Sequence, residues 1–252
     1  MARLTGRSVI VTGGARGIGA AYALALAGEG AKVAVCDILD CAATVAAVEQ
    51  AGGEAIGQVC DITDADAVAA FVGAVIERFG GVDGLVNNAA LFATLRTKPV
   101  EQVSSDEFDQ VLRVNVRGTF EMIKAVLPAM KRKGYGKIVN IASGTLFKGT
   151  PFMVPYVASK GALLGITRSV AREVGSAGIC VNCVAPGLTM SEAIGDNPDY
   201  SGDLAAMTVK SRCIPRDQQP EDLNGIVIFL LSAESDFMTG QTVVVDGGSI
   251  MN

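Results

Sequence analysis

Histidine is absent from the 252 residues. Its absence removes Ser-His-Asp and Cys-His nucleophilic triads and every His-ligated metal site, so acid/base work falls to other side chains and no metal is expected. Tryptophan is missing too, and aromatic residues make up only 5% of the chain. The net charge is a mild −5, and no basic run carries the interleaved aromatics that would track a phosphate backbone. Nucleic acid is therefore not an expected partner. Long apolar runs are also lacking. The longest stretch without charge, Val174 to Ser191, contains Gly175, Gly178, Asn182, Pro186 and Gly187, which a membrane span would not tolerate. The first residues, Met-Ala-Arg-Leu-Thr-Gly-Arg, lead into an apolar strand without the features of a secretory signal. A cytoplasmic location is expected.

Hydrophobic residues account for 50% of the chain and glycine for thirty positions, the profile of a tightly packed globular enzyme. Six cysteines stand at 36, 41, 60, 180, 183 and 213. Cys180 and Cys183 have C-x-x-C spacing, but Ile179-Cys-Val-Asn-Cys-Val184 reads as a strand, where residues three apart point to opposite faces. Free buried thiols in a reducing compartment are the expectation.

Short apolar runs alternate with helical segments along the whole chain. Strands are expected at Ser8–Thr12, Lys32–Cys36, Ala55–Cys60, Gly84–Asn87, Lys137–Ile141, Cys180–Val184 and Thr242–Val245. Helices are expected between them, including a long one over about 105–133, one opened by Pro155 and running to about Gly175, and a last one over Pro220–Leu231. Such alternation predicts α/β architecture: one doubly wound, three-layer Rossmann-type parallel sheet over residues 1–252. One long segment, 188–216, has no clear periodicity and is expected to be a substrate-binding loop within that domain.

Three constellations carry chemistry. Gly13, Gly17 and Gly19, with Arg16 and Ile18 between them, follow the first strand and open the first helix, where free N–H groups and the helix dipole favour a pyrophosphate. Asp37 ends the second strand, where a carboxylate accepts hydrogen bonds from ribose hydroxyls and repels a 2′-phosphate. Asp37 therefore favours NAD over NADP, while Arg16 argues the other way. Tyr156 and Lys160 lie four apart on one helix face and fit a proton-transfer pair, in which the ammonium favours the phenolate. Taken alone, that pair equally fits an ordinary solvated helix face.

Thr12-Gly-x-x-x-Gly-x-Gly19, Asn87-Asn-Ala-Ala90, Asn115, Ser143, Tyr156-x-x-x-Lys160 and Pro186-Gly187 stand in the order and spacing of the short-chain dehydrogenase/reductase family. The chain resembles that family over essentially its full length, to Asp246-Gly247-Gly248, departing from it where Ala90 stands in place of the more usual glycine. The resemblance implies that Tyr156 is the acid/base, that Lys160 lowers its pKa and binds the nicotinamide ribose, and that Ser143 holds the substrate oxygen. Asn115 would hold a water in a relay to Lys160. The resemblance also implies adenine contacts at Asp61 and Ile62, a turn under the ribose at Asn88, Ala89 and Ala90, and a carboxamide contact at Pro186, Gly187, Leu188 and Thr189. Thr145, Phe147, Phe152, Met153, Leu188 and Met190, which flank the catalytic residues, are expected to line an apolar substrate pocket together with Ser143 and Tyr156.

The expected activity is NAD-dependent oxidation of a small to medium, largely apolar or ring-bearing alcohol, with the reverse carbonyl reduction. The stretch from Phe147 to Val157 is similar to family members that oxidise alcohols on rings. A homotetramer is what the family implies, with 105–133 and 155–175 as candidate interface helices. The competing expectations are an NADPH-dependent ketoreductase of the 3-oxoacyl-carrier-protein type, a non-catalytic nucleotide-sensing scaffold, and a methyltransferase, which would leave Tyr156 and Lys160 unexplained.

Overall fold

Val9 and Val11 on the first strand turn to one side of a central sheet and Ile10 to the other, and each side finds its own buried cluster. The alternation is the two-residue period of a strand, here apolar on both faces because both are covered. In the computed structural model, which describes residues 2–195, 197, 199–200 and 202–251, seven strands form one sheet in the order β3-β2-β1-β4-β5-β6-β7, every pairing parallel. They are β1 (Ser8–Thr12), β2 (Lys32–Asp37), β3 (Glu54–Val59), β4 (Gly84–Asn87), β5 (Gly136–Ile141), β6 (Ile179–Pro186) and β7 (Thr242–Val245).

Among the described residues ten α-helices alternate with them: α1 (Gly17–Gly28), α2 (Ala42–Gln50), α3 (Ala65–Phe79), α4 (Ser105–Leu112), α5 (Thr119–Lys133), α6 (Thr145–Lys148), α7 (Val154–Val174), α8 (Glu192–Gly195), α9 (Asp203–Lys210) and α10 (Asn224–Leu231). Tyr22 and Leu26 of α1 and Leu230 of α10 cover one face with Val9 and Val11. Phe71 of α3, Met122 and Val126 of α5 and Val174 of α7 cover the other with Ile10 and Leu85. The sheet is therefore the middle of three layers. No helix among the described residues is long and apolar enough to cross a membrane.

The chain runs outward from β1 through β2 to β3 and then returns to pair β4 with β1 on its other side. This reversal opens a crevice at the carboxyl ends of β1 and β4, the place where such sheets bind ligands. Thr12 closes the crevice floor: its hydroxyl accepts from the backbone N–H groups of Asn88 and Ala89, both at 3.0 Å.

Two segments differ from expectation. The long helix over 105–133 is continuous but not regular: a π-helical turn, Arg113–Gly118, widens it between α4 and α5. There the Asn115 side chain is drawn into bonds with the backbone of Leu91. The aperiodic stretch 188–216 contains α8 and α9, of four and eight residues, which are too short to show a period in sequence. Positions 196, 198 and 201 of that stretch, and 1 and 252 at the ends of the expected domain, lie outside the described residues. All six cysteines are unpaired.

Candidate active site

The glycine loop turns tightly because its glycines leave no room for a side chain. A Cβ on Gly13, where φ is +66°, would lie 2.8 Å from Ala89 Cα, and one on Gly19 only 2.0 Å from Gly13 O. The turn delivers the N-terminus of α1 to the crevice, and Arg16 at its N-cap makes no side-chain capping bond. The first N–H groups of the helix therefore face the crevice without a partner from the cap. The space beside Gly17 is open, with Ser191 Cβ the nearest atom at 3.5 Å from a built Cβ. An uncapped helix start behind a glycine cradle fits the pyrophosphate of a dinucleotide.

Asp37 is not the cap of α2; that position is Cys41. Its carboxylate instead accepts from the N–H groups of Ala15 (3.2 Å) and Leu39 (3.1 Å), which aim it at the crevice beside the glycine loop. The next residues, Ile38 and Leu39, are exposed and apolar, so no cation follows Asp37 on that rim. Arg16, next to Ala15 in the chain, is exposed and lines the same cleft.

A cleft of about 750 Å³ runs from Asp37 and Asp61 past Gly13, Arg16, Gly17, Ile18, Gly19, Ile62, Asn88, Ala89 and Ala90 to Ser143, Tyr156 and Lys160. Pro186, Gly187, Leu188 and Thr189 line it from β6 and the segment beyond. Tyr156 and Lys160, four apart on α7, both line this cleft, with Lys160 Nζ 5.6 Å from the Tyr156 ring centroid. Lys160 Nζ donates to Ile141 O at 2.7 Å. Ser143, just beyond β5, accepts from Thr145 N and Thr145 Oγ1, and its hydroxyl favours the anionic form of the Tyr156 phenol. Asn115 stands behind the cleft, its amide tied to Leu91 O (3.2 Å) and Ser159 Oγ (3.0 Å) and its oxygen to Leu91 N (2.7 Å).

The electrostatics differ from the simple expectation that the ammonium dominates. Burial pushes the Tyr156 phenol well above its ordinary value, with the Ser143 hydroxyl opposing it. Burial also pulls Lys160 down to about 8. Desolvation disfavours both charged forms, so in the protein alone both groups are held toward neutrality.

Among the apolar residues expected at the substrate end, Thr145, Met153 and Leu188 line the cleft. Phe147 does not. It lies two residues after Thr145 on α6, about 200° around a helix, and is 36% exposed. Phe152 is turned away by a left-handed backbone (φ 63°) fixed by Lys98 N donating to its carbonyl at 3.0 Å, and its ring is 55% exposed. Met190 packs behind the wall in the cluster of Met153, Tyr156, Ile194 and Tyr200. The wall itself includes Phe92, Ile194, Tyr200 and Leu204, which sequence reasoning did not single out. The only signal for them was an aromatic residue just after the Asn-Asn-Ala-Ala turn and another inside the aperiodic segment.

A family profile described as enoyl-(acyl carrier protein) reductase matches residues 13–249. Galactitol 2-dehydrogenase of Agrobacterium fabrum is 38% identical, covering 99% of this chain and 100% of that protein. The 3-oxoacyl-(acyl-carrier-protein) reductase FabG of Staphylococcus aureus is 36% identical over 97% of this chain and 98% of its own. The crystal structure of levodione reductase superposes with a TM-score of 0.89 at 32% identity, covering 97% of this chain and 98% of that one.

Proposed function

Because the chain belongs to the short-chain dehydrogenase/reductase family, whose members act on alcohols and ketones with a nicotinamide cofactor, we propose that it is an NAD-dependent dehydrogenase of a small to medium, largely apolar or ring-bearing alcohol. The observation that carries this reading is one cleft lined by the uncapped glycine loop, Asp37, Ser143, Tyr156 and Lys160. The bound nicotinamide supplies a hydride acceptor. The alcohol loses that hydride from carbon and its proton from oxygen, and the Tyr156 phenolate takes the proton. Ser143 orients the oxygen through the same hydroxyl that favours the phenolate. Lys160 spends one N–H on Ile141 O and keeps two for a ribose hydroxyl. Asn115 is a positioning group that fixes the backbone at Leu91 beside the cleft. Asp37, followed by apolar Ile38 and Leu39, supports NAD over NADP. Residues 1–252 act as one cofactor-binding and catalytic unit, with 188–216 as its substrate loop. The enzyme is a cytoplasmic homotetramer.

The test is a panel of secondary and ring-borne alcohols with NAD and with NADP, followed by the absorbance of the reduced cofactor. Turnover with NAD is the expected result; inactivity with every alcohol in the presence of bound cofactor would leave the scaffold reading instead. A second reading, an NADPH-dependent 3-oxoacyl ketoreductase, draws on the FabG relative and on Arg16 at the cleft. A strong NADP preference with a β-ketoacyl thioester would favour it.

A further inference from the structure

Three aromatic rings connect the Tyr156 side chain to the segment that follows β6. Phe92 lies against Tyr156 with ring centroids 4.6 Å apart and a 32° tilt, and against Tyr200 at 4.8 Å and 31°. Phe92 belongs to the segment after β4 and Tyr200 to the segment between α8 and α9. The same two segments are fastened together on the outer side by a set of polar contacts. Asn197 Nδ2 donates to Ala93 O (2.7 Å) and Leu95 O (3.1 Å), and Tyr200 Oη donates to Leu95 O (3.2 Å). Asp199 accepts from Thr97 N and Arg96 Nε, both at 2.9 Å.

We propose that Phe92 and Tyr200 are positioning residues for Tyr156: Asn197, Asp199 and Tyr200, anchored on segment 91–98, hold Tyr200 against Phe92 and Phe92 against Tyr156, so that the anchoring of those residues and the placement of the acid/base are coupled. The inference rests on the dehydrogenase reading above. A ring held on one face by a second ring loses rotational freedom, and offset aromatic pairs stabilise such an arrangement beyond simple burial. The docked rings also exclude water. Tyr200 is 1% exposed and Tyr156 6%, and it is burial that raises the phenol. The charged and titratable groups around Tyr156 are few: Lys160 on its own helix, the Ser143 hydroxyl just beyond β5, the Tyr200 phenol across Phe92, and beyond them the Lys98–Glu107 and Arg96–Asp199 ion pairs. Removing the Tyr200 ring admits water and also takes away a phenol that opposes ionisation of Tyr156, whereas Phe92→Leu admits water and changes no titratable group.

The experiment is the pH dependence of kcat for alcohol oxidation in Tyr200→Ala and Phe92→Leu, each beside wild type and Tyr156→Phe. The expected result is a plateau lowered about tenfold and an alkaline rise moved to lower pH, because a hydrated phenol returns toward its ordinary value. A merely structural role would lower the plateau through lost active protein and leave the midpoint where it was. An unmoved midpoint in both variants overturns the proposal. If Tyr200→Ala does not fold, Phe92→Leu, which keeps an apolar side chain in that place, carries the test alone. Retained turnover in Tyr156→Phe would instead overturn the dehydrogenase mechanism itself, so the two failures are distinguishable.

Discussion

At the glycine-loop end of the cleft the contacts are made by backbone and by short polar side chains; at the far end they are made by large apolar side chains. Gly13 and Gly19 place main chain against main chain within a turn, and Asp37 is aimed by two amides. Around Tyr156 the wall is Phe92, Met153, Ile194 and Tyr200, from three separate segments of the chain. The first kind of site needs particular residues at fixed spacing, because only glycine fits the turn and a carboxylate can accept from two neighbouring hydroxyls at once. The second kind needs a filled volume, which many combinations of side chains can supply. One chain can therefore keep its cofactor chemistry while its substrate changes.

Substitutions at the two ends should separate along this line. The largest effect is expected from Tyr156→Phe, which should lower turnover about 10²- to 10⁴-fold while calorimetric affinity for the cofactor is kept. A comparable loss of affinity would show that the two ends are not independent. At the other end, Asp37→Ala should raise the NADP-to-NAD ratio of kcat/KM by on the order of tenfold or more, with the ranking of alcohols unchanged. A reshuffled ranking would break the comparison.

Gly13→Ala forces a side chain into a left-handed position against Ala89 and should cost about 1–3 kcal/mol, read as a lower Tm together with weaker cofactor binding. Lys160→Met tests the boundary between the ends. Burial lowers Lys160 from 10.5 to about 8, so the folded state resists its charge. Below pH 8 the lysine is charged in both folded and unfolded chains and the cost of burying that charge is fully present. Between about 8 and 10.5 the unfolded chain holds more protons, and stability of the wild type rises with pH. The substitution should therefore raise the Tm of cofactor-free protein at pH 7, and the gain should vanish by pH 10.5, even as activity is lost. The smallest effect is expected from Asp199→Asn. It weakens an exposed pair with Arg96, so the Tm should barely move while the KM for alcohol rises a few-fold.

The division also explains what could be read from the residues. Val9, Ile10 and Val11, the Gly13–Gly19 turn, Asp37 and the four-residue step from Tyr156 to Lys160 are local patterns, and each has a physical reason to occur where it does. The substrate wall has no such local pattern. Phe92 and Tyr200 meet only because the segments after β4 and β6 cross over the same strand ends. Phe147 and Phe152 are close to the active site in sequence yet turn outward, one by helical rotation and the other by a left-handed backbone. The balance of charge around Tyr156 was equally hidden. An ammonium four residues away predicts a lowered phenol, whereas the depth of burial, which sequence does not give, reverses the direction.

The π-helical turn at Arg113–Gly118 amounts to a one-residue insertion absorbed by a helix. Its widened winding presents Asn115 inward, to Leu91 and Ser159, while Thr119 Oγ1 donates to Asn115 O at 2.9 Å. Deleting one residue there would let α4 and α5 join as a single regular helix, better bonded along its axis. The same deletion would swing Asn115 away from the segment that begins the Phe92 wall. A shorter helix would thus be the more stable one in isolation and the less useful one in this protein, so this turn marks a place where gaps should be rare among functional variants of the chain.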